Sequence, residues 1–464
     1  MNLDSDWLIY GSGLSSLVLA ERLGSAGRHV VLVNPYKHWG GIFRGLKIDG
    51  EMFDAGMTNF EFDLFGEASD DIQIYNPNLK RDVGRYVHFV RQYLSRFIQA
   101  APLPTPCMQF GGHVLEDMII SNRFEVLTVL PAKIRESIHN ELTEIVSRPS
   151  LLHPRTKNDP DSPLAGATFE KVSLANHGPT FHELFIEPMF HKVLGIPTRE
   201  IEGIFHRNGW APLFHPESLV SQFTSSPQSL KPTIFSYPRD IHFGAFIERI
   251  VHKVRGMANV KVIDSADNAS LDVRRSIIRI GAAEFSFARL AWGGQPTQLL
   301  DMSGEGQSPD RRASIHMSFL KVKDCGVNNR FGVLIDPEGT SPFYRVTNQS
   351  ICSGSQSAEH KVILECNLSN WERRLDKPQD LNSALTKYGI DPASVISVHH
   401  RTFNGALSIP SHAGMEQFKC WLNRIAHELP DVELIGASSG YVSVTLNDHI
   451  IQALKIADQE GALK

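Results

Sequence analysis

Hydrophobic positions open the chain as a block and then change period. Trp7-Leu8-Ile9-Tyr10 is a short apolar run entering Gly11-Ser12-Gly13, after which Leu14, Leu17, Val18 and Leu23 recur at helical spacing. His29 to Val33 is apolar again and reads as a buried strand, so the opening predicts a βαβ unit of about thirty residues. Asp49-Gly50 between short alternating runs predicts a hairpin. Residues 75–225 read as mostly helical, with helices over Arg85 to Phe97 and Ile134 to Ser147 and a surface loop over Pro149 to Pro163. A loop from Phe235 feeds an amphipathic helix, and Asn259 to Ile263, Ser276 to Ile280 and Phe285 to Trp292 read as strands. Strand signals dominate 310–410, in Ser314 to Lys323, Phe331 to Ile335 and Lys361 to Cys366. A helical segment spans Gly414 to Leu429, and Val432 to Ala457 reads as strand, glycine loop and helix.

Composition narrows the class. A chain of 464 residues with 42% hydrophobic and 21% charged content is long enough for two or three domains. A formal charge of −5 gives no basic excess for a nucleic-acid platform. No apolar run has membrane-spanning length, and Asp4 and Asp6 interrupt the start of any secretory signal, so the expected location is the cytoplasm. The five cysteines are scattered and lack metal spacing. They read as reduced thiols, and no metal site is expected. His182, His191 and His206 are read as core or surface histidines for the same reason.

The glycines carry the clearest chemistry. Gly11 permits a tight turn, Gly13 lets backbone approach a pyrophosphate, and the following helix offers amide donors and a favourable dipole. Ser16 stands where a third glycine would sit, and Asn34 stands where a carboxylate would hold ribose hydroxyls. Gly40-Gly41 could lie flat on a ligand, with Arg44 placed for a phosphate. A βαβ unit that binds nothing is the competing reading. Tyr344 and Arg345 follow Phe343 in a strand region, where they suit an anionic or carbonyl substrate or merely a strand edge.

Gly11-x-Gly13, Val30 to Val33, Gly40-Gly41 with Arg44, and Phe53-Asp54-x-Gly56 resemble the opening of the FAD-dependent amine oxidase superfamily, which includes protoporphyrinogen-oxidase-like enzymes and UDP-galactopyranose mutases. The resemblance returns in Lys192-Val193-Leu194-Gly195-Ile196-Pro197, in the loop around Tyr237-Pro238 (where Arg239-Asp240 replaces glycines), and in Arg401 to Pro410. It ends in Gly436 to Val442. It implies FAD as cofactor, held by Gly11, Gly13, Leu14, Ser15, Asn34, Gly40, Gly41, Arg44, Asp54, Gly56, Val262, Gly436, Gly440, Tyr441 and Val442. Phe343-Tyr344-Arg345 resembles the mutases' substrate strand, and Tyr344, Arg345 and Arg401 are the implied substrate-orienting residues.

The expected fold is α/β: a discontinuous Rossmann-like FAD-binding domain with a helical insertion and a mostly antiparallel substrate-binding sheet. The FAD domain comprises residues 1–72, 226–300 and 413–464, with a helical cavity domain over 73–225 and the sheet over 301–412. The leading function is oxidation of a small-molecule substrate by hydride or electron transfer to flavin N5. A mutase using reduced FAD and a non-catalytic binding protein are the alternatives. Partners are a small-molecule substrate and no nucleic acid, with a homodimer left open.

Overall fold

The computed structural model describes residues 5–56, 58–61, 89–121, 123–148, 166–203, 213–223, 235–264, 266, 269–273, 275–302, 312–327, 331–374, 378–438 and 446–463. The expected loop Pro149 to Pro163 and the residues His206, Gly440, Tyr441 and Val442 lie outside them.

The opening run forms β1 (Ser5–Tyr10), the helical repeat α1 (Leu14–Ser25) and the next run β2 (Val30–Val33). β3 (Leu46–Ile48) turns into β4 (Glu51–Phe53) through Asp49 and Gly50, whose φ values of 49° and 81° suit a type I′ turn. Residues 107–116 depart from the mostly helical expectation. There β5 (Cys107–Phe110) and β6 (His113–Glu116) pair as a hairpin. Four-residue strands are too short to establish a period in sequence, and their identity comes from the sheet they join. Helices α2 (Ala132–Ser147), α3 (Phe169–His177) and α4 (Glu187–Leu194) follow. The chain then forms β7 (Phe235–Pro238), α5 (Phe243–Arg255) and β8 (Val260–Ile263). A meander of β9 (Ala269–Asp272), β10 (Ile277–Ile280) and β11 (Ala283–Trp292) comes next. The later strands are β12 (Arg312–Lys323), β13 (Val333–Ile335), β14 (Phe343–Asn348), β15 (Glu359–Asn367) and β16 (Val395–Ser408). The last elements are α6 (His412–Glu428), β17 (Val432–Leu434) and α7 (Leu446–Gln459).

One sheet has the order β8-β2-β1-β11-β10-β9, with β17 added against the end of β11. Strands β8, β2, β1, β11 and β17 are parallel. Their carboxyl ends therefore share one edge, which is where ligands bind in open α/β sheets. Alternation along β1 explains the layers: Trp7 and Ile9 pack with α1, α5 and α7, while Leu8 and Tyr10 pack with α6.

The second sheet has the order β16-β12-β15-β14-β13-β5-β6, antiparallel except between β13 and β5. Phe319, Ile335, Tyr344 and Ile363 share a core with Phe181, Phe185 and Phe190 of the helical segment. Leu320, Leu334, Val346 and Leu364 pack with Leu385 and Tyr388 in a separate core. Among the described residues no helix is long and apolar enough to cross a membrane.

Candidate functional site

The carboxyl edge of the parallel sheet collects the opening glycines. Gly13 caps α1 without a side chain, and a Cβ placed there would meet no atom within 4 Å. Gly40 bridges to Gly13, and its N–H donates to Ser12 O at 2.7 Å. A Cβ on Gly41 would sit 3.6 Å from Gly13 Cα. The two glycine segments thus lie backbone to backbone beside the first amides of α1, an anion-binding arrangement. Ser16 fits its position tightly: a Cβ on Gly293 would lie 2.7 Å from Ser16 Oγ. Leu14 and Ser15 are buried in the first turn of α1.

Asn34 follows β2 and is fully buried. Its Oδ1 accepts from Tyr36 N–H at 2.8 Å, but its Nδ2 is buried with no partner among the described residues. A buried donor left this way costs about 1–3 kcal/mol, so it calls for an acceptor. Val262 on β8 is paired with Leu32 and half-buried. Arg44 is half-buried and makes no ion pair among the described residues. Burial, together with the nearby Arg401 guanidinium, pulls its pKa below the ordinary arginine value. Arg401 reaches the adjoining strand β3 from β16, donating from Nη2 to Lys47 O at 3.2 Å.

Asp54 joins the hairpin to α5. One carboxylate oxygen accepts from Phe243 N–H at 2.9 Å, and the other accepts from the Tyr237 hydroxyl and from Thr58 Oγ1. Burial raises its pKa above the usual carboxylate value. A close backbone approach comes a few residues after Arg239-Asp240. At Gly244 a Cβ would lie 2.5 Å from Gly45 N, so the start of α5 rests directly on the loop that follows Arg44.

Gly56 has φ of 89°, and a Cβ there would fall 2.9 Å from Glu365 Oε2. Glu365 takes Arg345 in a bidentate pair and accepts from Tyr344 Oη at 3.3 Å. A register shift between Phe343 and Arg345 lets these adjacent side chains reach one carboxylate. Burial opposes the Arg345 charge, but Glu365 outweighs it and the pKa rises. The structure therefore gathers Tyr344, Arg345 and Gly56 around Glu365, which sequence reasoning missed. Its only signal was a lone acid in an apolar strand.

The closing segment returns to the opening one. Gly436 N–H donates to Gln452 Oε1 at 2.7 Å, and His449 Nδ1 lies 3.0 Å from Ser15 Oγ. The His449 ring packs edge-on against Phe43, with centroids 5.1 Å apart. His449 and Gln452 were also missed, although their i, i+3 spacing places both on one face of α7.

His182 belongs to a buried chain of hydrogen bonds. Phe214 N–H donates to His177 Nε2 at 2.9 Å, so His177 Nδ1 carries the proton toward Ser173 Oγ, 3.0 Å away. Ser173 Oγ then donates to His182 Nδ1 at 2.9 Å, and His182 Nε2 faces Thr198 Oγ1, which donates to Glu187. Lys192 of the Lys192 to Pro197 segment is buried, with Nζ donating to Asp336 O at 2.7 Å.

No protein-family model and no curated protein matches this chain in sequence. Solved structures match it in fold. A reduced UDP-galactopyranose mutase aligns with a TM-score of 0.73 at 17% identity, covering 100% of this chain and 95% of the other. A protoporphyrinogen-oxidase-like protein from Exiguobacterium gives 0.65 at 11% identity, covering 99% of each chain. Cyclohexylamine oxidase from Brevibacterium oxydans gives 0.61 at 13% identity, covering 99% and 100%. The chain has the mixed α/β fold of these proteins over its whole length.

Proposed function

We propose that this chain is an FAD-dependent oxidoreductase acting on a small-molecule substrate. The observation that carries the reading is Gly13, which caps α1 at the carboxyl edge of the parallel sheet, pairs with Gly40, and leaves open space where a Cβ would sit. The open face at Gly13, the amides of α1 (Leu14 and Ser15 included) and Gly40-Gly41 fit a pyrophosphate. Arg44 has no carboxylate partner among the described residues and fits the same anion. Val262 would line the adenine side, and Gly436 the flavin side. Asp54 and Gly56 would lie beside the ring system, Asp54 by holding α5 in place and Gly56 by leaving room for Glu365.

When bound, FAD would supply the hydride- or electron-accepting chemistry. The protein's part is orientation. Tyr344 and Arg345, fixed by Glu365, would present a polar wall, and Arg401 would add positive charge from β16. The pairing of Arg345 with Glu365 leaves that wall near neutral, which favours an uncharged or weakly charged substrate there.

A second reading, a sugar-nucleotide mutase using reduced FAD, is favoured by the TM-score of 0.73 to the mutase. Acid precipitation of the purified protein tests the common premise: released FAD is expected, and a colourless protein that FAD cannot reconstitute would overturn it. Anaerobic substrate that bleaches the flavin then supports the oxidoreductase. Turnover of UDP-sugar only with dithionite present supports the mutase.

A further inference from the structure

His449 sits where three separate cofactor-approach segments meet. From α1, Ser15 Oγ lies 3.0 Å from its Nδ1. From the glycine loop after β17, a Cβ at Gly436 would lie 3.5 Å from that same nitrogen and 3.6 Å from Cε1. From the loop after Gly40-Gly41, Phe43 packs edge-on against the ring. The residue is buried, with 7% of its surface exposed. Among the described residues no group bonds to Nε2.

This environment determines what the ring can do. Burial lowers its pKa to about 4, so the imidazole is neutral near pH 7 and one nitrogen donates while the other accepts. Ser15 occupies Nδ1 as a hydroxyl partner. When Ser15 donates to Nδ1, Nε2 bears the only ring proton. A neutral donor beside the amides of α1 adds a hydrogen bond to an anion without adding a buried charge.

We infer that His449 is a cofactor-positioning residue: Ser15 fixes the ring, and Nε2–H donates to an oxygen of the bound dinucleotide. The inference rests on the FAD reading above. The acceptor chemistry is an oxygen bearing negative charge or a carbonyl, found both in the pyrophosphate and in the flavin ring. Gln452 supports the arrangement from the next turn of α7 by accepting from Gly436 N–H at 2.7 Å.

The test compares wild type, His449→Phe, His449→Gln and Ser15→Ala in titrations of the apoprotein with FAD and with ADP-ribose, which has the pyrophosphate but no flavin. Thermal unfolding of each apoprotein runs alongside. For His449→Phe, FAD affinity should fall about ten- to hundredfold, the range for a lost hydrogen bond to a charged group. The unfolding midpoint should stay near wild type. His449→Gln should recover part of the affinity, and Ser15→Ala should weaken binding by a smaller factor. Equal weakening toward ADP-ribose places the acceptor in the pyrophosphate, and weakening toward FAD alone places it in the flavin. If wild type binds FAD and His449→Phe binds it equally well, the inference is overturned and the FAD reading stands. Should His449→Phe not fold, unchanged FAD affinity in both His449→Gln and Ser15→Ala overturns it. A wild-type protein that binds no FAD overturns the underlying reading instead.

Discussion

Glu365 holds Arg345 side-on, with Oε1 2.6 Å from Nε and Oε2 2.5 Å from Nη2, and both side chains are buried. Removing one member leaves a buried charge without its partner. Glu365→Ala should therefore destabilise the protein by about 3–5 kcal/mol in urea unfolding. The double variant Glu365→Leu with Arg345→Met should recover much of that loss. A single variant as stable as wild type would contradict the pairing.

Two glycines separate cofactor binding from folding. Gly13→Ala adds a methyl group into open space at φ of −73°, so apoprotein stability should change by less than about 1 kcal/mol. FAD affinity should fall at least tenfold, because the methyl group fills the face offered to the pyrophosphate. Gly244→Ala drives a Cβ to 2.5 Å from backbone Gly45 N, and a loss of about 1–3 kcal/mol is expected in the apoprotein itself. Paired calorimetry and flavin titration read both effects.

Arg44 should behave in the opposite way to a stabilising charge. Burial and Arg401 both disfavour its charged form, so Arg44→Met should leave the apoprotein as stable as wild type or more so. The same variant should weaken FAD binding. Loss of apoprotein stability with intact FAD affinity would remove Arg44 from the site.

The histidine chain predicts tautomers and a pH slope. Nitrogen-15 spectra should show His177 protonated at Nδ1 and His182 at Nε2. Burial lowers the His177 pKa from 6.5 to about 3. Between those values the unfolded chain takes up a proton that the folded chain refuses, so stability is lost as pH falls through the window. The slope from one such group approaches 1.4 kcal/mol per pH unit. Asp117 acts in the reverse sense, since burial raises its pKa from 3.8 to about 6 and the folded state keeps its proton longer. Comparing His177→Phe with wild type isolates the histidine: the variant's stability should fall less steeply toward low pH.

What the sequence disclosed and what it hid divide along physical lines. The βαβ opening, the Asp49-Gly50 hairpin, the 260–263 strand and the closing strand and helix were legible because each is specified by local periodicity or turn chemistry. Glu365 was not, because its meaning depends on cross-strand register with Arg345 and on a bulge. His449 depends on a contact 434 residues away, and Gly244 on the approach of another loop. The hairpin at 107–116 was hidden because its strands are four residues each and gain their place from β13.

The contact between Ser15 and His449 also bears on how the molecule assembles. β1 and α1 are synthesised well before β17 and α7, which pack with them and follow more than four hundred residues later. Until then the edge of β11 that receives β17 has no strand to pair with, and an unpaired parallel edge is a template for misassociation. Closure over so long a loop makes a slow, late step, well after the intervening elements can form their local contacts. The proposed nucleotide cradle is thus begun early and completed late, and free FAD present during synthesis would favour the completed form by mass action if it binds there.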